Sequence, residues 1–167
     1  MEMKDLVNLF RKQYSANPLV MAEAPGRVNL LGEHTDYNDG FVFPSAIDRS
    51  MKILASPNEN DTVRVYSADF REASEFSLSS IKKSGSASWS NYLRGVVDQL
   101  IKRGFAIRGG NFVIKGNVPV GAGLSSSAAY EVAAAAACRE MFSLDIDNVQ
   151  LALIAQAAER EFVGVQC

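Results

Sequence analysis

A chain of 167 residues with 47% hydrophobic and 22% charged side chains is long enough and apolar enough to fill one globular core. A net charge of −2 argues against nucleic acid or an anionic membrane as partner, and no uninterrupted apolar run reaches bilayer length. The charged N-terminus lacks a signal-peptide apolar stretch, and two cysteines, Cys138 and Cys167, supply neither a disulfide framework nor metal spacing, so a reducing cytoplasm is the expected compartment.

Leu6, Val7, Leu9, Phe10 and Tyr14 recur at helical spacing, which predicts an amphipathic helix over 4–14, broken by Asn17-Pro18. A short strand is expected from Leu19 to Ala24. The span Ala24 to Gly40 then gathers Arg27, Glu33, the single histidine His34, Asp36 and Asp39 between glycine turns. A core does not need such a density of hydrogen-bonding groups. Val28, Leu30 and Leu31 are expected to bury the flanking backbone, so that the polar groups stand on a packed base suited to a polyhydroxylated ligand. His34 taken alone reads as a structural contact and gains weight only from its neighbours.

Phe41 to Pro44 and Met51 to Ala55 read as two strands with Asp48-Arg49 between them, and Pro57 to Asp61 as a turn. Thr62 to Ser67 alternates as a half-buried strand. Residues 71–87 are polar and read as a surface loop. Ser90 is a candidate cap for a helix from Asn91 to Lys102 that ends at Gly104. Trp89 and Tyr92 share a face at its start, either as core aromatics or as a flat slot for a planar base.

Asn111 to Lys115 reads as a strand and the alanine-rich run from Tyr130 to Ala137 as a buried helix containing Cys138 at its end. Between them lies Pro119-Val120-Gly121-Ala122-Gly123-Leu124-Ser125-Ser126-Ser127-Ala128-Ala129. Two glycines permit a tight turn and close approach of a ligand to the backbone, and a helix N-terminus with extra hydroxyls suits phosphate. The Gly-Lys-Ser/Thr ending of a P-loop is missing, so a different phosphate grip is implied. Asp147, with Gln150 three residues on, caps a last helix over 149–162. Glu159 near its C-terminal end opposes the helix dipole, which fits either a cation partner or an exposed surface position.

Gly26-Arg27-Val28-Asn29-Leu30-Leu31-Gly32-Glu33-His34-Thr35-Asp36-Tyr37-Asn38 resembles the sugar-binding signature of galactokinases, within a signature region spanning about residues 20–50. Pro119 to Ala129 is similar to the ATP-binding motif of the wider superfamily of galactokinases, homoserine, mevalonate and phosphomevalonate kinases (GHMP kinases), here spanning about residues 111–137. The glycine/serine motif marks only the superfamily, whereas the Gly-Glu-His-Thr-Asp-Tyr-Asn run is narrower. Trp89 to Val96 and Ala158 to Gly164 match as well, so the resemblance follows nearly the whole chain in order.

The resemblance implies an α+β, two-layer GHMP-kinase N-terminal domain, similar to the second domain of ribosomal protein S5, incomplete over 1–167 and without its C-terminal domain. It implies Mg²⁺ and ATP as cofactors and galactose as substrate, phosphorylated at the C1 hydroxyl. Glu33, His34, Thr35 and Asp36 would hold the sugar. Gly121, Ala122, Gly123, Leu124, Ser125, Ser126 and Ser127 would wrap the phosphates, and Trp89 and Tyr92 would flank the adenine, with Ser67 touching the nucleotide. Ser127 and Glu159 would hold Mg²⁺, and Arg27 would stabilise the transition state. The family's catalytic Asp, in a Gly-Ile-Met-Asp run, is expected just beyond Cys167. The full-length parent is then expected to be a monomeric cytoplasmic galactokinase, while this polypeptide is expected to be an inactive fragment and marginal in stability. A non-catalytic galactose and ATP sensor, or a kinase for N-acetylgalactosamine or another related sugar, are the alternatives. Such sensors can lack a Ser-Ala pair in the serine loop, and the intact Ser127-Ala128 favours the kinase.

Overall fold

The computed structural model describes residues 2–32, 40–119 and 121–165. The elements run α1 (Met3–Tyr14), β1 (Val20–Leu31), β2 (Phe43–Pro57), β3 (Thr62–Ser67), β4 (Glu72–Ser77), α2 (Asn91–Lys102), β5 (Gly110–Gly116), α3 (Ser126–Phe142) and α4 (Asn148–Ala157). A 3-10 turn at Ser88–Ser90 leads into α2, and a π-helical turn at Ala158–Val163 extends α4.

The five strands form one sheet in the order β1-β2-β5-β3-β4. Only β3 and β5 are parallel; the other neighbours are antiparallel. Strand alternation divides the core in two. Ile53, Ala55, Phe112 and Ile114 face the layer of α2, α3 and α4, while Leu54 and Val113 face α1, where Leu6 and Phe10 cover them. The alanine run explains how α3 lies close on β1 and β2: Ala133, Ala134 and Ala137 are fully buried and cost little side-chain entropy. Cys138 is buried beside them. The helical layer over one mixed sheet is the expected α+β architecture, with α1 added as a patch on the opposite face.

Several elements differ from the sequence reading. Phe43 to Pro57 is one strand of 15 residues, because pairing with β1 on one side and β5 on the other carries the backbone through the polar Asp48-Arg49. The polar stretch 71–87 contains β4, which pairs along the edge of β3; an edge strand needs few apolar residues, and Phe76 alone is deeply buried. Ser90 does not cap α2 through its side chain; its hydroxyl donates to the Ala87 carbonyl at 2.7 Å and accepts from Arg94 at 3.0 Å. Asp147 does cap α4, accepting from the Gln150 N–H at 2.7 Å while Gln150 answers the Asp147 N–H at 3.0 Å. That helix gives way at Ala158 to the π turn, earlier than its apolar pattern implies. Leu30 and Leu31 are 57% and 71% exposed, so they do not bury the backbone beside the polar span. Among the described residues no helix is long and apolar enough to cross a membrane.

Candidate active site

The strand–loop–helix unit β5–α3 carries the glycine/serine loop. Gly121 and Gly123 have φ of +74° and +70°, with open space around both, so glycine is needed there for conformation and not for room. Ser125 takes a left-handed conformation (φ 55°) and its side chain leaves the helix end uncapped. The first intrahelical bond runs from the Ala129 N–H to the Ser125 carbonyl at 3.0 Å. The N–H groups of Ser126, Ser127 and Ala128 therefore point out of a 17-residue helix with its positive dipole end behind them.

Those N–H groups border a cleft of about 630 Å³ lined by Ser67, Asp69, Phe70, Trp89, Tyr92, Ser126, Ser127, Tyr130 and others. Its far wall is aromatic. Phe70 stacks on Trp89 with ring centroids 6.3 Å apart and planes at 26°, and Tyr92 leans on Tyr130 at 5.6 Å. The Trp89 indole N–H donates to Glu72 at 3.0 Å, which fixes the ring to the β4 edge. Behind the wall, Arg94 is buried and fully engaged. It donates to Ser90, to the carbonyls of Lys82 and Glu75 and to Ser74, at 2.9–3.1 Å, and lies 4.5 Å over the Phe76 ring. Burial lowers its pKa. Asp69 holds the cleft floor, pairing with Lys115 and accepting from the Gly116 N–H at 2.8 Å.

Two buried carboxylates lie near Tyr92, which lines the cleft. Glu159, on the π turn, is 4% exposed, which removes the surface alternative. Its turn seats tightly on α2 at Gly95, where any Cβ would come within 3.1–3.2 Å of Phe162 and Ala158. Glu131, one turn after Ser127 on α3, has no exposure, and among the described residues the partner of its carboxyl is the Glu159 carboxyl. Burial, then the neighbouring Glu159 carboxylate, close enough to share a proton, raise the Glu131 pKa. Burial and these two acids also raise that of Tyr92. Among the described residues neither carboxylate forms an ion pair, and a hydroxyl with buried carboxylates is the donor set a hard divalent cation takes, so the residues present fit Mg²⁺.

Of the sequence-predicted residues, Ser67, Trp89, Tyr92, Ser126 and Ser127 meet in the cleft. Gly121, Ala122 and Gly123 form an exposed rim, and Leu124 and Ser125 are half-buried beside it. Arg27 is half-buried on β1 and forms no ion pair among the described residues. Its N–H donates to the Leu124 carbonyl at 3.2 Å, and a Cβ on Gly26 would stand 2.7 Å from that oxygen. The sugar-signature strand and the glycine/serine loop are thus joined through Gly26 and Arg27. Glu33, His34, Thr35 and Asp36 lie outside the described residues, as does Cys167. The sequence reading missed Asp69, Phe70, Tyr130 and Glu131. An acid or aromatic in a polar turn, or a lone Glu in an alanine helix, carries no signal until the sheet and helices are assembled.

Comparison with known proteins matches residues 8–57 to the galactokinase galactose-binding signature and residues 91–167 to the GHMP kinases N terminal domain. The chain is 45% identical over 166 residues to a galactokinase of Chloroflexus aurantiacus and 50% identical over 163 to one of Roseiflexus. These alignments cover 99% and 98% of this chain but only 43% and 41% of the relatives, so the chain spans less than half their length. The crystal structure of Lactococcus lactis galactokinase complexed with galactose superposes with a TM-score of 0.91 at 34% identity, covering 99% of this chain and 44% of that one. Methanococcus jannaschii mevalonate kinase shares the fold, at a TM-score of 0.75 and 21% identity over 87% of this chain and 47% of its own. Over residues 8–57 and 91–167, and along nearly its whole length against the relatives, the chain therefore matches the N-terminal portion of galactokinases among the GHMP kinases.

Proposed function

We propose that the protein to which this chain belongs transfers a phosphoryl group from ATP to the C1 hydroxyl of galactose. The observation that carries this reading is the junction of Gly26 and Arg27 with the glycine/serine loop, which brings the strand of the sugar signature to the phosphate end of the cleft. The match to a galactose-binding signature supports the choice of sugar.

In this reading Trp89 and Tyr92 flank the adenine, with Ser67 at the nucleotide's edge. The N–H groups at the start of α3 and the backbone of Gly121 to Ser127 take the phosphates. Ser127 by its hydroxyl and Glu159 by its carboxylate hold Mg²⁺, which when bound offsets phosphate charge. Glu33, His34, Thr35 and Asp36 grip the sugar hydroxyls. Arg27 stabilises the charge that builds on the C1 oxygen, and a carboxylate from the C-terminal side of Cys167 takes its proton. Positioning and charge stabilisation are the protein's share of such a transfer. The parent acts as a cytoplasmic monomer, without nucleic acid or membrane.

The test is ATP-dependent formation of galactose 1-phosphate by this chain and by a version completed to the length of its relatives. Activity confined to the completed form is expected. Turnover by the 167-residue chain alone would move the proton acceptor to a residue within it. Galactose binding without turnover in both forms would favour a sensor, and preference for N-acetylgalactosamine would change the substrate.

A further inference from the structure

We propose that Phe70 is a third aromatic group of the nucleotide site, laid against the base beside Trp89. This rests on the phosphoryl-transfer reading of the cleft and adds a residue to its base-binding wall. Phe70 stands in the turn that joins β3 to β4, and that turn is fastened to β5. The Ala68 N–H donates to the Ile114 carbonyl at 2.9 Å, and Asp69 accepts from the Gly116 N–H at 2.8 Å. The Phe70 N–H donates to the Ser67 hydroxyl oxygen at 3.2 Å. The turn is thus held at the edge of the cleft, which Phe70 lines together with Trp89 and Tyr92.

Folding alone does not account for this ring. Phe70 is 56% exposed and lies outside both parts of the core among the described residues, whereas Trp89 packs against the core. A single exposed apolar side chain is ordinary on a surface, but this one borders a cleft and has an aromatic partner there. The two rings lie 26° from parallel with centroids 6.3 Å apart, and Glu72 holds the Trp89 indole in place. A flat base parallel to Trp89 is therefore within 26° of parallel to Phe70, so one base can meet both rings. That contact removes apolar surface from water and adds stacking, which every base supports because every base has a π face.

The experiment measures ATP binding by calorimetry in the completed protein and its Phe70→Ala, Phe70→Tyr and Trp89→Ala variants, with galactose titrated alongside. Phe70→Ala is expected to weaken ATP binding about 5–150-fold, the fold-change of one base–aromatic stack, with galactose affinity unchanged. Phe70→Tyr keeps the ring and is expected to retain ATP affinity. Unchanged ATP affinity in Phe70→Ala with weakened binding in Trp89→Ala overturns the role of Phe70 and leaves the nucleotide cleft standing. Unchanged affinity in both variants overturns the cleft as the base site and the proposal with it. An equal loss for ATP and galactose also overturns the proposal, because a base contact does not touch the sugar. Should Phe70→Ala fail to fold, nuclear Overhauser contacts from bound ATP in the unaltered protein decide. Contacts from the adenine ring protons to a phenylalanine ring that vanish in Phe70→Tyr support the proposal, and their absence overturns it.

Discussion

At the β3–β4 end of the sheet, side-chain hydrogen bonds among the described residues tie the helical layer to the strands. Arg94 ties the start of α2 to β4, Glu72 holds the Trp89 indole, and Asp147 and Gln150 cap α4 reciprocally. At the β1–β2 end Leu30, Leu31, Phe41 and Phe43 are 57%, 71%, 99% and 61% exposed. The first region is tied together by contacts within this chain, which hold the aromatic wall of the cleft to β4. The second presents an apolar surface of the kind that marks an interaction face. Among the described residues, the strand of the sugar signature touches the glycine/serine loop at Gly26 and Arg27.

The comparison is broken most directly at Arg94. Arg94→Ala leaves the carbonyls of Lys82 and Glu75 without their donor and removes the packing on Phe76. A loss of about 3 kcal/mol or more is expected, measured by urea denaturation. Gly26→Val attacks the junction. Its side chain would collide with the Leu124 carbonyl, Val118 and Ile47, at a cost of about 1–3 kcal/mol, and ATP affinity should fall with stability because the phosphate loop is displaced. Trp89→Ala sharpens the contrast without unfolding. It removes one ring of the cleft wall and should weaken ATP binding by about 1–3 kcal/mol, the range for base–aromatic stacking, while leaving galactose affinity unchanged in calorimetry on the completed protein.

At the open end the expected effects are small. Leu31→Ser with Phe43→Ser should shift stability by no more than about 0.5 kcal/mol per site, yet reduce light scattering on concentration. The smallest effect is a null one. Cys138 is fully buried and its thiol pKa is pushed up to about 12 by burial. In a Cys167→Ser variant it should resist thiol reagents at pH 8 until the chain is unfolded. Rapid labelling in native buffer would mean that the helical layer opens and that the tied region is looser than its contacts imply.

Much of this was legible in the chain. The amphipathic spacing of Leu6, Phe10 and Tyr14, the alanine run of α3, the Asp147–Gln150 box and the glycine/serine loop each specify local structure through nearest-neighbour physics. The sugar and phosphate motifs carry the resemblance to galactokinases in the sequence itself. The sequence did not reveal β4, whose polar residues pair along an edge, nor the exposure of Leu30 and Leu31, which hydrophobicity alone assigns to a core. Sequence by itself determined which helices form and where the glycine/serine turn falls, because backbone conformation and helix ends obey short-range rules. Only the tertiary structure decided that Phe70 stacks on Trp89, that Gly26 admits the loop, and that Glu131 and Glu159 are buried side by side. Burial and the pairing of distant charges depend on how the layers close, and no single stretch of chain contains that information.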